Sequence, residues 1–187
     1  LAVLLTLLIS LVLWVSLSHS FYLIPSFQQV HDSYSGSEAV LLDRHRQVLH
    51  EIRVDPKGRR LNWVGLAEIS PALPAAVICA EDKRFYQHKG VDWKASGGAL
   101  IGRISSTNLR GASTITMQLV SKLIPDLQPQ LSHRSIWQKW NQMRAARKLE
   151  ESWSKAEILE AYLNMVSFRG ELQGIASASR GLFNKRS

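Results

Sequence analysis

The chain has 187 residues, of which 45% are hydrophobic, and its 23 Lys and Arg against 15 Asp and Glu give a formal charge of +8. The hydrophobic fraction excludes a disordered polar chain, and the single cysteine, Cys79, excludes an internal disulfide scaffold. The charge is uneven, because residues 1–31 contain no Asp, Glu, Lys or Arg and the whole excess lies in residues 81–187. The composition therefore indicates a membrane-associated chain with anionic partners.

Residues 1–24 predict a transmembrane anchor that is not cleaved. They carry no charge, and a helix needs about 20 apolar residues to cross the hydrocarbon of a bilayer. Trp14 and Tyr22 suit the aromatic belt at the outer interface. A cleaved signal peptide is the alternative interpretation. Its cleavage site usually contains small residues, however, and no alanine stands between Ala2 and Ala39.

The next residues predict a linker followed by a β-hairpin. Residues 25–37 are polar, with Ser, Gln and Gly, which is typical of a linker. The segments 40–42 and 48–54, which are rich in Val, Leu and Ile, flank the polar residues 43–46, which is the pattern of two strands joined by a turn. We therefore assign the linker and the hairpin together to residues 25–60.

From residue 61 onward the pattern becomes helical. Ser70 and Pro71 are suited to be the N-cap and the first residue of a helix, and Ser154 with Glu157 forms the pattern of a capping box. We expect a mainly α domain over residues 61–187, cut short at its C-terminal end. The predicted helices cover residues 75–86, 92–104, 113–124 and 135–153, a stretch beginning at 154, and residues 171–183.

Two short runs could carry chemistry. Glu81 opens the run 81–90 directly after an apolar segment, and a carboxylate in that position is a candidate general base. The alternative is a solvated helix end in which Glu81 pairs with Arg84. The run 111–118 is small and hydroxyl-rich and opens a helix, where free N–H groups hold phosphate oxygens well. The alternative there is plain N-capping by Ser113.

Basic and amide residues recur on one face of the long predicted helix. Arg134, Gln138 and Gln142 are spaced by four residues, and Lys139 neighbours Gln142 at helical spacing. Arg can bind a diphosphate through two parallel hydrogen bonds, and Lys binds it as a point charge. A solvated basic face is the alternative, and this pattern taken alone favours it.

Together and in this order, these motifs resemble those of the peptidoglycan glycosyltransferases, glycosyltransferase family 51. The first family motif, E-D-x-x-F-x-x-H-x-G, is matched by residues 81–90, and the second, G-[GA]-S-T-[IL]-T-x-Q, by residues 111–118. A later motif, S-K-x-E-I-L-E-x-Y-L-N, is matched from Ser154 to Asn164, and residues 174–185 approximate the last one. The chain is thus identified as a member of the family over roughly residues 61–187.

The middle family motif, R-K-x-x-E, is altered in this chain. We locate it by its usual spacing before Lys155 of the later motif and after the segment that begins at Arg134. Both place it on residues 138–142. Lys139 is then the basic residue of the motif, and Gln142 stands where the family has its second glutamate.

Residues 147–151 only imitate the middle motif, and Ser121 departs from the family pattern. Residues 147–151 fit the letters of the middle motif at the wrong spacing, so we expect Arg147 and Glu151 to be only a surface ion pair. Ser121 stands where the family has a donor-binding Lys, and Lys122 beside it is a candidate substitute.

Met117 and residues 164–174 look like the penicillin-binding protein 1C branch of the family. That branch is bifunctional and carries a transpeptidase domain further along the chain. The present chain ends before any such domain.

The resemblance implies a mainly α, lysozyme-like glycosyltransferase domain with one N-terminal transmembrane helix and a short β-hairpin between them. The family polymerises lipid II: an acceptor sugar hydroxyl attacks the donor anomeric carbon with inversion, and undecaprenyl diphosphate leaves. The implied catalytic residues are Glu81, as general base, and Gln142, in the place of the second glutamate. The implied substrate-binding residues are Asp82, Arg84, Phe85, His88, Ser113, Thr114, Gln118, Lys122, Arg134 and Lys139.

The resemblance also bears on cofactors, partners and location. No cofactor is required, although a divalent cation, Mg²⁺ or Mn²⁺, often assists the family, and Gln142 would bind it more weakly than a glutamate. We expect lipid II, the growing glycan strand, membrane lipid and other cell-wall synthesis proteins as partners, and no nucleic acid. The expected location is the bacterial inner membrane, with a single span and the catalytic domain on the outer, periplasmic side.

Two other functions are compatible with the sequence. One is a membrane-anchored, lysozyme-like glycan hydrolase, and the other is a non-catalytic scaffold of a bifunctional penicillin-binding protein. Several residues also have plain structural interpretations: Cys79 as a core thiol, His88 as a residue that orders its loop by hydrogen bonding, and Tyr162 and Asn164 as packing or capping residues.

Overall fold

A computed structural model describes residues 6, 10, 22–56, 58–96, 113–128 and 136–184. These residues are mainly helical, as the sequence predicted, and they also form two small sheets. The strands are β1 Glu38–Leu42, β2 Val48–Arg53, β3 Arg59–Arg60 and β4 Leu172–Gln173. The helices are α1 Phe27–Ser33, α2 Ala72–Glu81, α3 Ile115–Leu123, α4 Ile136–Ser152, α5 Lys155–Met165 and α6 Ile175–Phe183.

The core forms where α3 packs against both α4 and α5. Ile115 and Leu119 of α3, Leu149 of α4, and Ile158 and Leu163 of α5 are fully buried there. Burial of such side chains is the main favourable contribution to folding. Helix α3 is therefore central, and the polar residues at its beginning are held in place by the core.

The predicted hairpin is confirmed as an antiparallel pair of β1 and β2. Its turn is built by Asp43, whose side chain accepts hydrogen bonds from the backbone N–H groups of His45 at 2.8 Å and Gln47 at 2.7 Å. Arg46 completes the turn with φ at +60°. The apolar side chains of both strands are largely exposed, among them Leu49 and Ile52.

A second sheet was not predicted. Strand β3 pairs in parallel with β4, with Arg59 opposite Leu172. Because β4 occupies residues expected to be helical, α6 begins at Ile175. Two-residue strands leave no period for a sequence pattern to reveal.

Residues 25–37, expected to be a linker, contain the helix α1. Ser26 caps it in a reciprocal capping box with Gln29. Phe27 packs edge-to-face against Trp153, with ring centroids 5.3 Å apart, and the Tyr34 hydroxyl donates to the carbonyl of Asn164 at 3.3 Å. These contacts hold α1 against the helical domain.

Helix α2 differs from the expectation of a buried helix before Glu81. It has no buried residue, and only Leu73, Val77 and Ile78 are partly buried against the core. The prediction of Cys79 as a core thiol is wrong, because this side chain is exposed on the outer side of α2. An apolar helix can lie on a surface, since composition alone does not report burial.

Helix α2 has Pro71 rather than Ser70 as its N-cap and ends at Glu81, five residues earlier than predicted. The other helix boundaries agree with the prediction within a few residues. Thr114, rather than Ser113, is the N-cap of α3. The capping box of Ser154 and Glu157 at the start of α5 is confirmed. The helix predicted over 92–104 is helical at residues 93–96, and its remainder lies outside the described residues.

The predicted anchor over residues 1–24 lies mostly outside the described residues. Among the helices that the structure describes, none combines the length and hydropathy needed to cross a bilayer.

Candidate active site

Glu81 is the last residue of α2, and its side chain is exposed. The side-chain amide of Gln118, in the second turn of α3, donates from Nε2 to Glu81 Oε2 at 2.9 Å. The structure thus brings together residues from the first and second motifs.

Arg84 does not pair with Glu81. Its Nε lies 2.8 Å from Asp92 Oδ2, and its second nitrogen also donates to Asp92. Burial disfavours ionisation of Asp92, but the backbone N–H of Ala95 and the Arg84 guanidinium donate to its carboxylate and hold its pKa below the usual range. Arg84 therefore stabilises its own loop, and Glu81 has the side-chain amide of Gln118 as its hydrogen-bond partner.

Asp82 points into the domain, unlike its neighbour Glu81. Only 6% of it is exposed, and His88 Nε2 lies 2.9 and 3.0 Å from its two carboxylate oxygens. Asp82 Oδ2 also accepts from the backbone N–H of Ile115 at 3.1 Å. The carboxylate thereby joins the loop after α2 to the first turn of α3, and His88 orders that loop as its structural interpretation predicted.

Phe85 and Thr114 are also buried beneath the site. Lys155 Nζ lies 4.4 Å from the centre of the Phe85 ring, which is a cation–π contact. Thr114 Oγ1 donates to the carbonyl of Gly90 at 2.6 Å and accepts from the backbone N–H of Met117 at 3.1 Å. Because both side chains are buried beneath the site, a substrate could contact them only if the fold moved.

Two lysines lie beside α3. Lys139, from α4, donates from Nζ to the hydroxyl of Ser113 at the start of α3. Lys122, one turn after Gln118, is half-buried, and burial lowers the pKa of its ammonium group. Arg134, the third predicted cation, lies outside the described residues.

Gln142 is buried on α4, with 3% of it exposed. Its Nε2 donates to the carbonyl of Met117 and to the hydroxyl of Ser121, both at 2.6 Å. Both amide hydrogens are thereby used, and an amide does not titrate in the physiological range. Gln142 and Ser121, two of the positions that depart from the family pattern, are therefore direct hydrogen-bond partners.

Tyr162 of α5 was interpreted from the sequence only as a packing residue. Its hydroxyl donates to Gln118 Oε1 at 3.1 Å. Burial and then the negative charge of Glu81 raise the pKa of this phenol above its usual range. The sequence could have indicated this contact, because a tyrosine on the buried face of a helix needs a hydrogen-bond partner for its hydroxyl.

Asn164, by contrast, is confirmed as a packing residue. Its side-chain amide accepts a hydrogen bond from the backbone N–H of Val64 and donates one to the carbonyl of Val64.

The predicted site residues therefore fall into two layers. An exposed or half-exposed layer contains Glu81, Gln118, Ser113, Lys122 and Lys139. A supporting layer contains Asp82, Phe85, His88, Thr114 and Gln142.

The prediction of a surface ion pair between Arg147 and Glu151 is wrong, since both residues are described and the structure shows no ion pair between them.

The described part of the site offers no ready cluster of metal ligands. No group of three or more His, Cys, Asp or Glu side chains able to hold a metal occurs among the described residues. Mg²⁺ and Mn²⁺ prefer oxygen ligands, carboxylates above all, and Gln142 supplies only a neutral amide in place of a carboxylate.

A sequence model of the family described as "Transglycosylase" matches residues 45–187. The chain is 37% identical over 130 residues to penicillin-binding protein 2D of Bacillus subtilis (strain 168), a match that covers 68% of this chain and 18% of that relative. It is 40% identical over 126 residues to a biosynthetic peptidoglycan transglycosylase of Haemophilus influenzae, covering 66% of this chain and 49% of the relative. A biosynthetic peptidoglycan transglycosylase of Mannheimia succiniciproducens is 38% identical over 125 residues, with 66% and 49% covered. The chain thus spans half or less of the length of these relatives.

Proposed function

Because the chain belongs to the peptidoglycan glycosyltransferase family, we propose that it polymerises lipid II into glycan strands. In this reaction a sugar hydroxyl of the acceptor attacks the anomeric carbon of the donor. A glycosidic bond forms, the bond to the undecaprenyl diphosphate breaks, and the configuration at the anomeric carbon inverts.

The observation that carries this proposal is the environment of Glu81. Its carboxylate is exposed at the end of α2 and accepts a hydrogen bond from Gln118, while the neighbouring Asp82 is fully engaged inside the domain. Glu81 is therefore a carboxylate that a substrate hydroxyl can reach. It would take the proton of the acceptor hydroxyl as the new bond forms, because a sugar hydroxyl is too weak an acid to ionise beforehand.

The leaving diphosphate requires positive charge, and preorganised cations supply it. Lys139 at the start of α3 and Lys122 one turn beyond Gln118 are the candidate cations among the described residues. Arg134 is a third candidate from the sequence. We assign the departing charge to Lys139 first, since its Nζ lies beside the hydroxyl of Ser113 at a helix N-terminus, which also favours phosphate.

The test is polymerisation of labelled lipid II by the full chain and its Glu81→Gln variant. Loss of the general base should lower the rate by about 10² to 10⁴-fold, while lipid II binding persists. Glu151→Gln is the matched control, because Glu151 is an exposed acid on α4 that the structure gives no partner. Polymerisation by Glu81→Gln at the wild-type rate would contradict the assignment of the base.

The same assay separates the other functions. Shortening of preformed glycan without polymerisation of lipid II would identify a hydrolase. Binding of lipid II without turnover by the wild-type chain would identify a scaffold. The hydrolase has no use for cations at a diphosphate, so Lys139 favours the synthase.

The proposal includes a setting at the membrane. An uncleaved anchor over residues 1–24 would hold the domain at the periplasmic face of the inner membrane, where lipid-linked substrate is present. The natural partners would then be lipid II, the growing strand, membrane lipid and other cell-wall synthesis proteins. Similarity of Met117 and residues 164–174 to the penicillin-binding protein 1C branch supports a bifunctional parent protein, and that assignment stays a prediction.

A further inference from the structure

Three side chains from three helices form a hydrogen-bonded chain that ends at Glu81. The Tyr162 hydroxyl of α5 donates to Gln118 Oε1 at 3.1 Å, and Gln118 Nε2 of α3 donates to Glu81 Oε2 at 2.9 Å. Tyr162 itself is 3% exposed. The buried end of the chain is thus a phenol, and the exposed end is the proposed base.

We propose that Tyr162 is a positioning residue for Glu81 and acts through the side-chain amide of Gln118. This inference rests on the proposed function, because it concerns the same carboxylate. Tyr162 lies beneath the surface and has no direct contact with substrate in this role.

The carboxylate of Glu81 decides the direction of these hydrogen bonds. An ionised carboxylate only accepts, so the amide must present its N–H to Glu81 and therefore its oxygen to Tyr162. The phenol can donate to that oxygen. If the amide turned over, its oxygen would face the carboxylate, and two acceptors would repel each other. The Tyr162 hydroxyl therefore stabilises the one orientation of Gln118 in which Glu81 has a donor.

The surroundings keep the phenol in its donating form. Burial and then the charge of Glu81 raise the pKa of Tyr162, so it stays protonated throughout the physiological range. Hydrogen bonds in a poorly solvated chain also reinforce one another. Glu81 is therefore held in one place before the substrate arrives, which favours reaction over mere binding.

The test compares Tyr162→Phe with the wild-type chain in lipid II polymerisation. The variant keeps the buried ring and removes only the hydroxyl, so kcat should fall about five- to tenfold with KM unchanged. Tyr86→Phe is the matched control, because Tyr86 is 66% exposed and its hydroxyl has no part in this chain of hydrogen bonds. A wild-type kcat in Tyr162→Phe, or a loss that appears in KM alone, would overturn the inference.

A double variant separates action through Gln118 from a general loss of packing. In a Gln118→Met background the connection to Glu81 is already cut, so adding Tyr162→Phe should reduce kcat no further. Losses that multiply in the double variant would show that Tyr162 acts independently of Gln118 and would overturn the inference.

A spectroscopic measurement makes the result independent of polymerisation. In the ¹H–¹⁵N NMR spectrum, one side-chain amide proton of Gln118 should be shifted by its bond to the carboxylate in the wild-type chain and in Tyr86→Phe. In Tyr162→Phe that shift should shrink toward the value of a solvated amide. An unchanged signal would refute the chain of hydrogen bonds, whereas absence of polymerisation by the wild-type protein would refute only the proposed function.

Discussion

Glu81 and Asp82 are adjacent acids with opposite environments. Glu81 is exposed and has one side-chain amide as its partner, whereas Asp82 is buried and is held by His88 and by the backbone of Ile115. The motif marks both residues but does not distinguish their roles. The distinction arises because α2 ends between them and the chain then turns into the domain.

At the same scale, Gln142 shows how one substitution changes the chemistry of a site. A carboxylate at this position would bring a second charge, but the amide instead binds Ser121 and the carbonyl of Met117. The cost of burying a charge is thereby avoided, because both partners are neutral. Of the two positions that the family gives to glutamates, only that of Glu81 carries an acid in this chain.

Because Gln142 and Ser121 are both neutral, we expect that polymerisation does not depend on a divalent cation. Removing Mg²⁺ and Mn²⁺ with a chelator should change the rate of the wild-type chain by less than about twofold, since Gln142 places a neutral amide where a second carboxylate would bind either ion. The measurement is the initial rate of lipid II polymerisation with chelator, with added Mg²⁺ and with added Mn²⁺. A strong dependence on either ion would contradict the prediction.

Among the elements, the loop between α2 and residue 93 is fastened to α4 by a close approach of the two backbones. Gly90 has φ at +78°, and a Cβ built on it would lie 2.5 Å from the carbonyl oxygen of Ala146. Thr114 donates to the carbonyl of the same glycine. The loop that carries Asp82 and His88 is thus held between α3 and α4.

Gly90→Ala should therefore destabilise the fold strongly. A left-handed φ costs a residue with a Cβ about 1–2 kcal/mol, and overpacking against the Ala146 backbone adds about 1–3 kcal/mol. Gly170→Ala is the control, because Gly170 has φ at +59° with nothing within 4 Å of a new Cβ and should lose only the first amount. Denaturant unfolding measures both variants, and equal losses would show that the contact with Ala146 yields without cost.

Most of the helices could be predicted from the sequence. The capping box of Ser154 and Glu157 is a local signal, and α5 begins directly after Ser154 as predicted. Burial was harder to predict, as the exposed side chain of Cys79 shows. An apolar side chain is consistent with either a core or a surface, and only the neighbouring elements decide between them.

Across the whole molecule, the β1–β2 hairpin is attached to the helical domain mainly by polar contacts. At its base Ser37 is fully buried and exchanges hydrogen bonds with Arg60. Further along, Arg180 of α6 binds Glu51 of β2 and lies 3.5 Å from Glu38 of β1. Most of the hairpin's apolar side chains are exposed, so these polar contacts determine how firmly it is held.

Arg180→Ala should loosen the hairpin without unfolding the domain. Because the side chain of Arg180 is 36% exposed, loss of its ion pairs should lower the free energy of unfolding by less than about 1 kcal/mol. Amide hydrogen exchange should become faster in β1 and β2 and stay unchanged in α3. Arg169→Ala, at an exposed arginine for which the structure shows no ion pair, is the control. Unchanged exchange in the hairpin would show that its other contacts hold it without Arg180.

The sequence by itself determined the family, the mainly helical class and the hairpin, and it marked Glu81 as the candidate base, because these follow from motifs and periodicities within short stretches of chain. Only the tertiary structure decided that Asp82 faces inward, that Gln142 and Ser121 bond each other, and that Tyr162 reaches Glu81 through Gln118. It also decided the pairing of β3 with β4. The physical reason is that each of these contacts joins segments distant in the chain. A local pattern specifies the face on which a side chain lies, whereas its partner depends on how the helices pack.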